Sequence, residues 1–269
     1  MVDYFYVTVG SGPKYIRDFT KPSVQSLLRS GISCDQIHVV GNTKDDMEMI
    51  HEQLPNIKYT YQASQSLNNV KWTSFNFKRR YSYLKSAALS KFFNTYEPYK
   101  HMVYFDGDVL WYSNPEPFFD KKCEKTWFHH GKDLQKKASI KRKKVKLGSF
   151  KSLKQWCSDP MAYLLAEHGA EYLPSREVVA GLCLLHPNDR KKILKKTFEF
   201  CNENKIKFVD HEGAGDQKPM NAALAHLGID WHGGSKFFCP EHKEYFDHFF
   251  GKDKEKEEFW RLAKEMGCL

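Results

Sequence analysis

The sequence predicts one α/β domain built around a parallel sheet of the nucleotide-binding type. Strand and helix patterns alternate through residues 4–106, which is typical of such a sheet. The 269 residues are 41% hydrophobic and 15% aromatic, which is enough for one substantial core. Two aspartates, Asp106 and Asp108, follow an apolar run at the place where parallel sheets bind their ligands.

The strands and helices of the first half are predicted from their residue types and from the glycines and prolines at their ends. The run YFYVTVG is rich in β-branched and aromatic residues and ends at Gly-Ser-Gly, which indicates a strand entering a loop. Pro22 opens the next helix and Gly31 closes it. The predicted strands are 4–10, 36–41, 56–62 and 101–106, and the predicted helices are 22–30, 43–54 and 78–94.

The second half is mixed rather than strictly alternating. Its strongest strand, VVAGLCLLH, is apolar up to its final histidine and is therefore expected to be buried on both faces. The predicted strands are 125–130, 178–186 and 229–234, and the predicted helices are 187–204, 216–228 and a last one around 259–266. Together the halves predict a mixed central sheet with helices on both faces.

The composition indicates in which cellular compartment the protein is expected. No apolar run is as long as the roughly 18–20 residues that a membrane span needs, and the N-terminus has no secretory pattern. Seven cysteines without CxxC spacing indicate thiols in a reducing compartment, so we expect a cytoplasmic protein.

Much of the formal net charge of +9 lies in residues 131–154. A solvated loop is the plainest interpretation of this segment. A peripheral contact with membrane headgroups or another polyanion is the alternative. We expect no nucleic-acid partner, because the aromatic residues that stack on bases are not interleaved with these charges.

The motif Asp106-Gly107-Asp108 carries the chemistry. A single aspartate after a strand often only caps a turn, but two neighbouring carboxylates repel each other unless a cation lies between them. Carboxylate oxygens suit Mg²⁺ or Mn²⁺, which keep coordination positions for substrate phosphates. Gly107 lets the backbone turn tightly there. The motif therefore predicts a metal–diphosphate site.

The stretch HMVYFDGDVLWYSNPEPFF resembles the DxD segment of glycosyltransferases with the GT-A fold, in particular the glycogenin and galactinol synthase group. Further motifs resemble that group in the same order along the chain: YVTVGSG, RRYSYLKSAALSKFF, VVAGLCLLHP, GDQKPMNAAL and DWHGGSKFF. Eukaryotic enzymes of this kind usually carry a signal anchor, and no such segment is predicted in this sequence. A viral or bacterial cytosolic member is therefore expected.

The resemblance implies a role for each matching residue. It makes Asp106, Asp108 and His232 the metal ligands, with Asp106 also facing the ribose. It places Asp216 and Gln217 at the reacting carbon, although Asp216 could equally be a helix N-cap. The implied nucleotide and sugar contacts are Thr8, Val9, Gly10, Arg80, Lys85, Gly181 and Lys236. Ordinary roles remain open for these, as a strand residue for Thr8, a packing glycine for Gly181 and solvated side chains for the cations.

The resemblance also implies the activity. Residues 1–269 are expected to form a single GT-A domain, with a nucleotide-binding half (1–120) and an acceptor and sugar half (121–269). The expected reaction is Mn²⁺- or Mg²⁺-dependent transfer of a sugar from a UDP-sugar to a hydroxyl of a glycan or glycoprotein, with retention of configuration. Three alternatives stay open: an inverting transferase with Asp216 or Glu212 as base, a sugar-nucleotide nucleotidyltransferase, and a non-catalytic polyanion-binding protein.

Overall fold

The central element is a mixed seven-stranded sheet in the order β3-β2-β1-β4-β7-β6-β8, with a separate two-stranded pair β5-β9. The structure is a computed structural model and describes residues 2–62, 99–133, 168, 176–207, 217–233, 240–249 and 253–269. The strands are β1 (Tyr4–Gly10), β2 (Ile37–Gly41), β3 (Tyr59–Gln62), β4 (His101–Phe105), β5 (Val109–Trp111), β6 (Trp127–Asp133), β7 (Arg176–Leu185), β8 (His232–Gly233) and β9 (Phe246–His248).

The first four strands of the sheet run parallel, as the alternating pattern predicts. β1 pairs in parallel with β2 and β4, and β2 pairs in parallel with β3. The second half makes the sheet mixed, because β7 is antiparallel to both β4 and β6. β8 adds a two-residue parallel strand beyond β6 at the edge of the sheet. The predicted fold class is therefore confirmed.

The helices follow their sequence signals closely. Thr43 caps α3 with a capping box in which Asp46 is the reciprocal partner. Gly31 and Gly228 adopt positive φ after α2 and α6, as glycines that end helices commonly do. The helices are α1 (Pro13–Tyr15), α2 (Lys21–Arg29), α3 (Lys44–Gln53), α4 (Glu116–Asp120), α5 (Pro187–Lys207), α6 (Gln217–His226) and α7 (Asp253–Glu265). A π-helical turn spans Ile16–Thr20, and 3₁₀ turns span Cys34–Gln36 and Pro240–Glu244.

Apolar side chains cover both faces of the sheet. On β1, Tyr6 packs into one cluster while Phe5 and Val7 pack into the cluster on the opposite face, because successive strand residues point to opposite sides. This two-sided burial is what a sheet with helices on both faces requires. No helix in the described ranges is long and apolar enough to cross a bilayer.

The sequence did not predict every element. It contained no expectation for the pair β5-β9, in which Val109 pairs with His248. The predicted strand at 229–234 is reduced to two residues, and the predicted strand at 125–130 extends from Trp127 to Asp133. The helix expected at 78–94 lies outside the described residues, as do most of the basic segment 131–154 and its side chains.

Candidate metal site

The DGD motif lies at the carboxyl end of β4, where β4 stops pairing with β7. The backbone N–H of Asp106 donates to the carbonyl of Gly181, with 2.7 Å between N and O. The Tyr104 hydroxyl donates to Oδ1 of Asp106. The N–H of Gly107 donates to the hydroxyl oxygen of Tyr15 at 3.1 Å. These bonds hold the motif to β7 on one side and to the end of α1 on the other.

The second strand pair brings a histidine to this motif. β5 and β9 are antiparallel, with Val109 opposite His248, so Asp108 comes next to the end of β9. The N–H of Phe249 donates to the carbonyl of Asp108 at 2.9 Å. As a result, Nε2 of His248 lies 3.3 Å from Oδ1 of Asp108. The His248 side chain is only 2% exposed, so its ring is held inside the protein.

Gly181 provides the space in which these side chains meet. A Cβ atom at this position would lie 2.9 Å from Oδ2 of Asp106 and 2.8 Å from Nε2 of His248. Real Cβ atoms do not approach other atoms so closely, so any other residue would displace one of the two side chains. The glycine is therefore required by the site itself.

The three side chains fit a divalent cation. One potential ligand atom each from Asp106, Asp108 and His248 lies within 4.8 Å of the other two. Oδ1 of Asp108 is buried and makes no hydrogen bond in the described part of the chain. Such a buried carboxylate oxygen is costly unless an ion or a donor satisfies it. Two carboxylates and one imidazole form a donor set that suits Mn²⁺ and also Mg²⁺.

The structure does not bring His232 to this group. His232 is the first residue of β8, pairs with Trp127 of β6, and is exposed. Its backbone N–H donates to the carbonyl of Thr126 at 2.9 Å. The neighbouring Gly233 adopts φ +96°, and a Cβ there would collide with the carbonyl oxygen of Phe128. The glycine that follows His232 is thus explained by strand packing.

Sequence reasoning overlooked His248, although a signal was present. The resemblance implied a late His-Gly-Lys segment, which we expected at 232–236. The chain carries the same residue types in the same order at His248, Gly251 and Lys254. Dense aromatic residues around position 248 made this part of the chain look like core, which it also is.

The candidate nucleotide contacts on β1 are in the expected strand but have packing roles as well. Thr8 is fully buried, and its hydroxyl makes no hydrogen bond in the described part of the chain. Val9 is 8% exposed and belongs to the opposite apolar cluster. A Cβ at Gly10 would lie 3.1 Å from Cγ1 of Ile16, which is a tight contact, so this glycine also has a packing role.

A polar group that the sequence did not single out lies beside Gly10. The carboxylate of Asp46 accepts hydrogen bonds from the backbone N–H groups of Gly12, Asn42 and Thr43, which joins the loops after β1 and β2. The Asn42 side chain is buried, yet neither its oxygen nor its nitrogen makes a hydrogen bond in the described ranges. An amide with donor and acceptor both unsatisfied is a candidate ligand-binding group.

The start of α6 is clamped to β7 by a side-chain amide. Asn221 accepts from the N–H of Val178 at 2.7 Å and donates to the carbonyl of Val178 at 2.9 Å. It also donates to the carbonyl of Gln217 at 2.8 Å. Gln217, one of the two candidates at the reacting carbon, is therefore fixed relative to β7, the strand that carries Gly181.

Several predicted residues cannot be placed. Asp216 and Glu212, the candidate bases, lie outside the described residues. The three cations expected at the diphosphate, Arg80, Lys85 and Lys236, also lie outside them.

Comparison with known proteins gives a result for structure and none for sequence. No family model and no curated protein matches the chain. The galactosyltransferase LgtC, solved in complex with donor and acceptor sugar analogues, gives a TM-score of 0.53 at 14% identity and covers 98% of this chain and 99% of its own. An active-site mutant of LgtC gives 0.52 at 12% identity, again over 98% and 99%.

A third solved structure, that of the bifunctional glycosyltransferase WbbM, gives a TM-score of 0.51 at 9% identity. It covers 99% of this chain and 51% of the WbbM chain. These likenesses show the fold. The protein has the mixed α/β architecture of GT-A glycosyltransferases, with an Asp-Gly-Asp motif after β4.

Proposed function

We propose that the protein is a metal-dependent glycosyltransferase that moves a sugar from a nucleotide-diphosphate donor to a hydroxyl of a glycan acceptor. The donor class we infer is a UDP-sugar, and the inferred outcome is retention of anomeric configuration. The cation is Mn²⁺ or Mg²⁺. In this proposal its protein ligands are Asp106, Asp108 and His248, so that His248 replaces the histidine expected from sequence.

One observation carries the proposal. Three side chains that suit a divalent cation converge in a GT-A fold at the carboxyl end of a central strand. In open α/β sheets, ligands bind beyond the carboxyl ends of the strands, near the point where strand order changes direction. Here the order changes at β1, between β2 and β4, and the DGD motif follows β4. The metal group is therefore next to the expected place of a nucleotide.

Neighbouring residues and strands hold the three proposed metal ligands in position. When bound, the ion supplies Lewis-acid stabilisation of the departing diphosphate. Tyr104 and Gly181 hold Asp106 in place through hydrogen bonds to its side chain and its backbone. The partner strands β5 and β9 hold Asp108 and His248 together. The protein thus presents three ligand atoms in a fixed arrangement before any substrate arrives, which lowers the entropy cost of binding.

The buried amide of Asn42 supports a nucleoside position beside the metal group. Asn42 follows β2 directly, and Gly41 pairs with Gly10 of β1. Because β1 is parallel to both β2 and β4, the amide lies at the same end of the strands as the DGD motif, their carboxyl end. Its unsatisfied donor and acceptor match a base edge that offers one acceptor and one donor, as uracil does. We assign Asn42 this role within the proposed donor site.

Calorimetry with UDP, with and without Mn²⁺, tests the proposal. We expect Mn²⁺-dependent UDP binding in the parent protein and none in Asp108→Asn, which keeps the side-chain shape but removes the charge. Asp35→Asn is the matched control, because Asp35 is an exposed acid in the 3₁₀ turn before β2, at the opposite end of the strands from the three ligands. UDP binding that is equally strong without metal would contradict the proposal.

The stereochemical part has its own test. Slow hydrolysis of the donor releases free sugar, whose anomeric proton is resolved by NMR before mutarotation. Retention predicts the same anomer as in the donor. The opposite anomer would instead favour the inverting alternative, in which Asp216 or Glu212 acts as base.

A further inference from the structure

A row of three histidine rings begins at the candidate metal group, and the side chains at its two ends, His248 and His242, are buried. The row consists of His248, His129 on β6 and His242 in the 3₁₀ turn before β9. The ring centroids of His129 and His248 are 6.0 Å apart, and those of His129 and His242 are 4.6 Å apart. The proposed metal ligand is thus the first member of a continuous imidazole row.

The far end of the row meets an acid and a tyrosine. Nε2 of His242 lies 3.8 Å from Oδ1 of Asp247. The Tyr112 hydroxyl lies 3.3 Å from the other carboxylate oxygen of Asp247 and donates to it. Burial, reinforced by the charge of Asp247, raises the pKa of Tyr112, so its hydroxyl stays protonated as a donor. Asp247 is therefore oriented from one side by Tyr112 and faces His242 on the other.

The rings have little freedom to turn. His242 is 1% exposed and stacks on Phe246, with centroids 5.4 Å apart and the planes tilted by 28°. His129 meets the same phenyl ring edge-on at 5.3 Å. Since Phe246 is itself fully buried, it fixes both imidazoles against one rigid surface.

An irregularity in the sheet places His129 opposite the glycine of the site. Phe128 pairs with Cys183, and His130 pairs with Val179. Between these two pairs, one residue of β6 lies opposite three residues of β7. The extra residues on β7 surround Gly181. Across this point the side-chain alternation reverses, because Ala180 packs on one face of the sheet and Leu182 on the other. Bulges of this kind often re-aim side chains beside functional sites.

We propose that His129, backed by His242 and Asp247, is a positioning residue for the metal ligand His248. The His248 ring lies over Gly181, and its centroid is 6.0 Å from that of His129, so the row limits the orientations that the His248 ring can adopt. The partners of a ligating histidine set its tautomer and ring orientation, and their loss commonly weakens metal binding by about 10–100-fold. This inference rests on the proposed function.

The test measures Mn²⁺ binding rather than turnover. Electron paramagnetic resonance detects unbound Mn²⁺, so it gives the dissociation constant of the ion directly. We expect His129→Phe and His242→Phe, which keep an aromatic ring but remove its nitrogens, to weaken Mn²⁺ binding by about 10–100-fold. His129→Gln restores a polar group and is expected to recover most of the affinity.

His38→Phe is the matched control, because His38 is another buried histidine stacked on aromatic rings but lies on β2. It should leave the Mn²⁺ dissociation constant unchanged.

Thermal unfolding without metal identifies any variant that merely fails to fold. If a Phe variant does not fold, the Mn²⁺ affinity of His129→Gln relative to the parent protein becomes the deciding measurement. If His129→Gln and both Phe variants bind Mn²⁺ as tightly as the parent, the positioning role is wrong while the proposed function stands. A parent that binds no Mn²⁺ overturns both.

Discussion

Nε2 of His248 lies 3.3 Å from Oδ1 of Asp108, although the two residues are far apart in the chain. The pairing of β5 with β9 brings them together, and the hydrogen bond from Phe249 to the carbonyl of Asp108 closes the junction. This relationship identifies the third member of the candidate metal group.

Substituting each candidate histidine distinguishes the two assignments of the third ligand. We expect His248→Ala to weaken Mn²⁺ binding by at least the ~10–100-fold that loss of an outer partner costs. His232→Ala should leave it unchanged, because that side chain is exposed at the sheet edge. Titration of both variants with Mn²⁺ checks this. The opposite ranking would return the ligand role to His232.

Adding one methyl group at Gly181 should disrupt the metal group. In Gly181→Ala the new Cβ would lie within 3 Å of both Asp106 and His248, so one of these side chains must move. We expect loss of Mn²⁺ binding together with a destabilisation of about 1–3 kcal/mol from overpacking.

Gly31→Ala is the matched control for that substitution. Gly31 has φ +100°, and no atom lies within 4 Å of a Cβ built there. The Gly31→Ala variant should lose about 1 kcal/mol of unfolding free energy through backbone strain, and its Mn²⁺ affinity should stay the same. Equal Mn²⁺ affinity in Gly181→Ala and Gly31→Ala would show that Gly181 is not part of the site.

Replacing Asn42 by leucine should separate stability from nucleotide binding. The amide of Asn42 is buried without hydrogen bonds, so its removal should leave the free energy of unfolding unchanged or raise it by about 1 kcal/mol. Affinity for UDP in the presence of Mn²⁺ should fall. Urea unfolding and calorimetry measure the two effects. A variant that loses stability but binds UDP normally would make Asn42 a structural residue only.

Acid should destabilise the protein partly through His38. Burial lowers the pKa of His38 to about 4, with a smaller contribution from the charge of Lys100. Between pH 4 and the ordinary value of 6.5 the unfolded chain therefore binds a proton that the folded chain does not. The stability that His38 contributes is complete above pH 6.5 and is lost as the pH falls, by about 3 kcal/mol at pH 4.

His38→Phe tests this contribution. The variant keeps a ring between Phe5 and Tyr59 but cannot bind a proton. Urea unfolding of both proteins at pH 7 and pH 4.5, without metal, should show a smaller loss for His38→Phe, by about 2–3 kcal/mol. Identical losses would assign the acid sensitivity to other groups, such as His101, whose pKa burial also lowers.

Local sequence patterns predicted most of the regular elements in the described ranges. β1 has the predicted bounds, and α3 (Lys44–Gln53) lies within the predicted helix 43–54. The apolar run before Asp106 is a buried strand, as expected. These features follow from side-chain periodicity and capping, which act over a few residues and can therefore be read directly from the chain.

Other features could not be predicted, because they depend on contacts between distant segments. The three-residue strand β9 has too few residues to show a period, and its aromatic side chains are equally consistent with core. The reversal of alternation at Gly181 is likewise invisible in an apolar run that is buried on both faces.

By itself, then, the sequence determined the class of fold, the strand that carries the two aspartates and the type of chemistry they indicate. Tertiary structure decided which histidine joins them. His232 and His248 both lie close to aromatic residues in the last part of the chain, and only the pairing of β5 with β9 places one of them beside Asp108. Strand partners are selected by the packing of the whole core, so no local pattern contains that choice.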